Sequence, residues 1–140
     1  MHDQAINITK NGIVLPGRLL VPDRARGVIV FAHGSGSGKE SPRNILVAAR
    51  LNETGFATLL LDLLTAGEKE NYRQNVFDLD LLTARLDLAV DWVLAAPELR
   101  GLPIGLAGAS TGAAAALNVA ARRGRAIAAI VSRGGRPDLA

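Results

Sequence analysis

Apolar residues in this chain fall into short unbroken runs, separated by segments in which they recur every three or four positions. That alternation predicts buried strands interleaved with amphipathic helices. Gly27-Val-Ile-Val-Phe-Ala-His33, Phe56-Ala-Thr-Leu-Leu-Leu-Asp62, residues 103–108 and Ala126-Ile-Ala-Ala-Ile-Val-Ser132 read as strands buried on both faces. Between them the spacing predicts three helices. The first covers residues 43–54, opens at Ser41-Pro42, closes at Gly55 and turns Ile45, Leu46, Ala49 and Leu51 inward. The second covers 77–96, with Leu79, Leu82, Leu86, Ala89 and Val93 on one face, and Pro97 ends it. The third, alanine-rich, covers 110–123. Residues 6–20 are apolar but broken by Asn11-Gly12 and Pro16-Gly17, as expected of an antiparallel strand pair with turns, and 66–75 are polar and read as a loop. Strands alternating with helices demand a mostly parallel sheet with right-handed crossovers and helices on both faces, an α/β fold.

The last predicted strand, 126–132, is apolar throughout, yet nothing after it within the 140 residues can pair beyond it. It is therefore expected to be an exposed edge that invites self-association or a second chain. One domain is the expectation at this length, and with 49% hydrophobic but only 4% aromatic residues its core must be aliphatic. Sixteen basic against 13 acidic residues describe an ordinary surface. The absence of cysteine excludes disulfides, thiolate metal sites and a thiol nucleophile. No signal peptide and no run of membrane-spanning length is present, so a cytoplasmic location is the default expectation.

Chemistry concentrates at Gly108-Ala-Ser-Thr-Gly112, a sharp turn between a predicted strand and a helix of small residues. A strand–Gly-x-Ser-x-Gly–helix arrangement is a nucleophile elbow: it lifts the Ser110 hydroxyl clear of the sheet and sets the Thr111 N–H at a helix N-terminus, where an oxyanion is stabilised. A second oxyanion N–H is expected from the glycine-rich loop His33-Gly-Ser-Gly36, with Ser35 or Gly36 donating and His33 and Gly34 supporting the loop. The same loop fails as a phosphate-binding P-loop, because His33 stands where glycine is required and Glu40 follows Lys39 where Ser or Thr is required. Metal ligands at workable spacing around His33 are lacking, and no cofactor is implied. Asp78, Asp80, Asp87 and Asp91 read as the charged first turn and solvated face of a helix. Arg122, Arg123, Arg125, Arg133 and Arg136 read as helix C-terminal charge; without aromatic interleaving they do not imply nucleic acid. An elbow serine also needs an acid and a histidine later in the chain, and among residues 111–140 there is no histidine. Asp138 is the sole acid after the last strand.

At His33-Gly-Ser-Gly36, Asp62 and Gly108-Ala-Ser-Thr-Gly112 the chain resembles the α/β-hydrolase superfamily, and within it the dienelactone-hydrolase-like branch; Ser132-Arg-Gly-Gly-Arg-Pro-Asp138 resembles that branch too. The resemblance covers residues 27–140. It implies a central elbow strand, Ser110 as nucleophile, Thr111 and Ser35 as backbone oxyanion donors, and a single, incomplete hydrolase domain lacking the C-terminal strands that carry the acid and the histidine. Dienelactone hydrolases proper use cysteine where Ser110 stands, so the expected substrate is a small carboxylic ester, cleaved through an acyl-enzyme. The competing expectation is a non-catalytic half-domain that pairs through its last strand.

Overall fold

The computed structural model describes residues 1–34, 38–70 and 78–134. Along the chain run β1 (His2–Lys10), β2 (Ile13–Val21), β3 (Val28–Ala32), α1 (Pro42–Glu53), β4 (Ala57–Leu61), α2 (Ala66–Glu70), α3 (Leu79–Ala95), β5 (Ile104–Ala109), α4 (Thr111–Arg123) and β6 (Ile127–Arg133). The strands form one six-stranded sheet in the order β1-β2-β4-β3-β5-β6. The β1, β2 and β4 contacts are antiparallel and those among β4, β3, β5 and β6 are parallel. No helix among the described residues is long and apolar enough to cross a membrane.

Asn11 and Gly12 both take positive φ, +50° and +80°, as a two-residue type I′ hairpin turn requires, and they set Lys10 opposite Ile13. Pro16-Gly17 makes no turn, contrary to the sequence expectation. Both residues lie inside β2, where Pro16 accepts the Asp62 N–H at 3.0 Å, using only its carbonyl, and Gly17 lets the β4 backbone come close.

Helices α3 and α4 cover one face of the sheet. There Leu82, Leu86, Ala89, Val90 and Val93 of α3 and Ala115, Ala116 and Val119 of α4 pack on Leu15, Leu19, Val28, Val30, Leu59, Leu61 and Leu106. Helix α1 covers the other face, where its Ala48 packs with Phe31 of β3 and Leu60 of β4. Its inward face matches the predicted one at Leu51, which packs on that cluster, and differs elsewhere. Asn44, Ala48 and Asn52 are buried, whereas Ile45 and Leu46 are 38% and 60% exposed and Ala49 is exposed. The rotation follows from what the asparagines satisfy: Asn52 Nδ2 donates to the Phe56 carbonyl at 3.0 Å and to Thr58 Oγ1 at 3.1 Å, and Asn44 Oδ1 accepts from Arg133 at 3.0 Å. Hydrogen bonds that bind the helix to β4 and β6 outweigh the burial of two aliphatic side chains.

Two further polar groups act locally. Asp78 caps α3 by accepting the Leu81 N–H at 3.0 Å. Arg123 reaches back from α4 to Asp87 and Asp91 of α3, each at 2.6 Å, so these acids tie the two helices together and are not simply solvated. As expected, β6 lies at the sheet edge among the described residues, and its Val131 is 64% exposed.

Candidate active site

Ser110 stands where β5 becomes α4, with φ +55° and ψ −126°, a backbone region that costs a non-glycine residue on the order of 1–3 kcal/mol. Neighbouring backbone holds it there. The Ser110 N–H donates to the Arg133 carbonyl of β6 at 3.3 Å, and the Ser110 carbonyl accepts the Ala113 N–H at 3.0 Å. The flanking glycines make the tight turn sterically possible. A Cβ on Gly108 would lie 2.5 Å from the Ala113 Cα, and one on Gly112 would lie 2.5 Å from the His33 carbonyl oxygen and overlap that of Ala32. The Ser110 side chain caps no N–H of α4, and the residue is partly exposed. Thr111, buried, is the first residue of α4, where the helix field favours negative charge.

The stem of the glycine-rich loop lies against this turn. Gly34 abuts the elbow so closely that a Cβ there would be 2.9 Å from the Ser110 Cβ. Ser35 and Gly36, the predicted second oxyanion donors, fall outside the described residues, as do Arg136 and Asp138. Where the chain is described again, the Lys39 N–H donates to Asp62 Oδ1 at 2.7 Å, and Lys69 Nζ lies 3.4 Å from the same oxygen.

His33 is 4% exposed. Its Nε2 accepts the Leu63 N–H at 2.9 Å, which requires that nitrogen to be unprotonated, so the ring proton sits on Nδ1 and is donated to the Gly34 carbonyl at 3.0 Å. Burial pushes its pKa below the ordinary histidine value, against the opposing pull of the Gly34 carbonyl. With both nitrogens engaged and the neutral form favoured, His33 is unsuited to act as the base for Ser110. Among the described residues, no three His, Asp or Glu side chains gather as metal donors.

Two residues next to this stem escaped the sequence reading, and residues 66–70, expected in a loop, form α2. Thr65 and Glu68 cap that helix reciprocally: the Thr65 N–H donates to Glu68 Oε1 at 2.8 Å and the Glu68 N–H to Thr65 Oγ1 at 3.2 Å. Thr65-Ala-Gly-Glu68 was the overlooked signal. Buried Arg85 of α3 grips the Glu68 carboxylate with both terminal nitrogens, at 2.6 and 2.7 Å. Its place inside the apolar stripe of Leu82, Leu86 and Ala89 could have flagged it, because a buried guanidinium needs a partner.

Arg85 holds the Glu68 pKa down to about 2. A carboxylate with a depressed pKa stabilises the fold above its unfolded-state value, near 4.5, and loses that contribution as pH falls towards 2. For a carboxylate a quarter exposed, the contribution is about 2–3 kcal/mol. Urea unfolding at stepped pH should therefore show wild type and Glu68→Gln furthest apart above pH 5, with the gap closing below pH 4.

A family model described as serine aminopeptidase, S33, matches residues 23–135. A Mycobacterium tuberculosis protein provisionally named a phosphoribosyl transferase is 49% identical over 140 residues, all of this chain but 31% of that protein. The chain thus spans about a third of the length of the curated relatives it matches. Among solved structures, a dienelactone hydrolase from Anabaena variabilis superposes with a TM-score of 0.94 at 47% identity, over 99% of this chain and 65% of that one. Est1E from Butyrivibrio proteoclasticus, 24% identical, shares the fold with a TM-score of 0.75 over 90% of this chain and 49% of its own.

Proposed function

This chain belongs to the hydrolase family described as serine aminopeptidase, S33, and from that premise we propose that it is the nucleophile-bearing portion of a serine hydrolase acting on small carboxylic esters. The observation that carries this reading is the strained Ser110 backbone between Gly108 and Gly112, at the junction of a central parallel strand and a buried helix. In the proposed reaction Ser110 Oγ attacks the acyl carbon and expels the alcohol, Thr111 and Ser35 N–H groups hold the oxyanion, and water releases the acid. A histidine from outside these 140 residues takes the serine proton, because His33 is committed to Gly34 and Leu63. The dienelactone hydrolase likeness supports a hydrolase of this branch; a serine in place of cysteine favours ordinary esters over dienelactones.

The phosphoribosyl transferase name belongs to a relative of which this chain matches 31%, and it is not carried over to these 140 residues. The matched 140 residues are 31% of that protein but 65% of the dienelactone hydrolase chain, so it is about twice as long as that hydrolase. The expected result for the complete protein is an acyl-enzyme, trapped by acid quench from an activated ester and located by mass spectrometry on the peptide holding Ser110. Turnover with the acyl group on another residue, or with none, refutes the reading. The exposed edge of β6 favours a second reading, a non-catalytic module that pairs through this strand with a second chain or a second copy, for which a concentration-dependent size on chromatography with no reactivity of Ser110 is the test.

A further inference from the structure

The Arg85–Glu68 pair is an expensive way to fill a core position. A leucine in the stripe of Leu82, Leu86 and Ala89 would bury well, whereas a buried ion pair gives little or no net stability over apolar packing. What the pair supplies is geometry. While gripping Glu68, the Arg85 Nη1 also donates to the Leu63 carbonyl at 3.3 Å. The Leu63 N–H in turn donates to His33 Nε2 at 2.9 Å, and the other face of the His33 ring donates from Nδ1 to the Gly34 carbonyl at 3.0 Å. Gly34 then abuts Ser110 and the Ala109 carbonyl. Glu68 is itself fixed by its reciprocal bonds with Thr65, so the relay is anchored at its far end by the α2 cap.

We infer that Arg85 and Glu68 are positioning residues for the His33–Gly34 stem beside the nucleophile, acting through the Leu63 backbone and the tautomer of the His33 ring. The inference rests on the reading of Ser110 as nucleophile. Only a planar fork serves here: it meets a carboxylate with two parallel bonds and still presents an N–H to a carbonyl, which a lysine ammonium cannot reproduce. Once the fork is lost, the Leu63 carbonyl is released, the Leu63 backbone can shift the N–H that selects the His33 tautomer, and Gly34 is no longer held against the elbow.

The test uses the complete protein with a neutral activated ester, active sites counted by burst titration. Arg85→Met is expected to lower kcat per titrated site by about 10- to 100-fold with KM within about twofold, and to weaken a boronic acid, which forms a tetrahedral adduct, in parallel with kcat. Arg85→Lys recovers only part of this. Lower thermal stability with unchanged kcat per titrated site overturns the inference and leaves the pair merely structural. The wild-type protein supplies a second measurement, independent of whether any variant folds: long-range nitrogen–proton correlation of His33 at pH 7 should show a neutral ring protonated at Nδ1. Protonation at Nε2 overturns the relay. If Ser110→Ala retains wild-type turnover, the hydrolase reading fails and the inference with it; if that variant is dead while Arg85→Met is normal, only the positioning role fails.

Discussion

Ser110→Ala in the complete protein is expected to lower kcat for ester hydrolysis by about 10⁴–10⁶, to the level that binding and oxyanion contacts sustain without a nucleophile. Stability should move differently. The strain at Ser110 resides in the backbone, at φ +55° and ψ −126°, so alanine inherits it unchanged and leaves the thermal midpoint near wild type. Ser110→Gly, equally dead, should gain about 1 kcal/mol, because glycine adopts that conformation without a Cβ clash and the Arg133 and Ala113 hydrogen bonds to the turn involve only main chain. Calorimetry of the three proteins beside a steady-state assay makes the comparison. Loss of activity together with stability in Ser110→Ala would mean that the serine holds the turn together, and the nucleophile assignment would lose its main support.

The second large effect is on folding. Gly112→Ala should cost more than about 3 kcal/mol, seen as a thermal midpoint lowered by about 10 °C or as failure to accumulate soluble protein. A methyl group there meets main-chain oxygens of Ala32 and His33, neither of which can swing aside as a flexible side chain would. Either α4 lifts from the sheet or the end of β3 moves, and both displace Ser110. Gly67 is the control. A Cβ there meets nothing within 4 Å and the residue lies in α2, so Gly67→Ala should be neutral or stabilise by up to about 1 kcal/mol. Equal destabilisation by the two variants would rule out close helix–strand approach as the reason for glycine at 112.

The sheet and its helices were legible because long apolar runs and period-four stripes leave few alternatives: β3, β4, β5, β6 and α3 lie where the pattern set them. What failed were positions at which polar groups do structural work. Asn44 and Asn52 face inward because their amides satisfy partners on other elements, and no single-sequence pattern reveals partners 6 or 89 residues away. Likewise α2 is too short for periodicity, and its cap was the one available sign. Pro16 was misread because an antiparallel strand tolerates proline where its N–H is not needed. At the site, the elbow could be read from five consecutive residues, whereas the ring of His33 depends on Leu63 and Arg85, brought together only by folding.

The strand order carries a consequence for motion. In β1-β2-β4-β3-β5-β6, strands β3 and β4 are flanked on both sides, while among the described residues β1 and β6 are each paired on one side, and most of β6 is exposed. In the 140-residue chain, amide protons should therefore exchange in a graded order, slowest in Val28–Ala32 and Ala57–Leu61 and faster in the edge strand Ile127–Arg133. The Ser110 amide spans that gradient, since its acceptor is the Arg133 carbonyl at the far end of that edge strand. Each local opening of β6 then releases one of the hydrogen bonds that hold the nucleophile's backbone in its strained shape, so protection of β6 and order at Ser110 should rise and fall together.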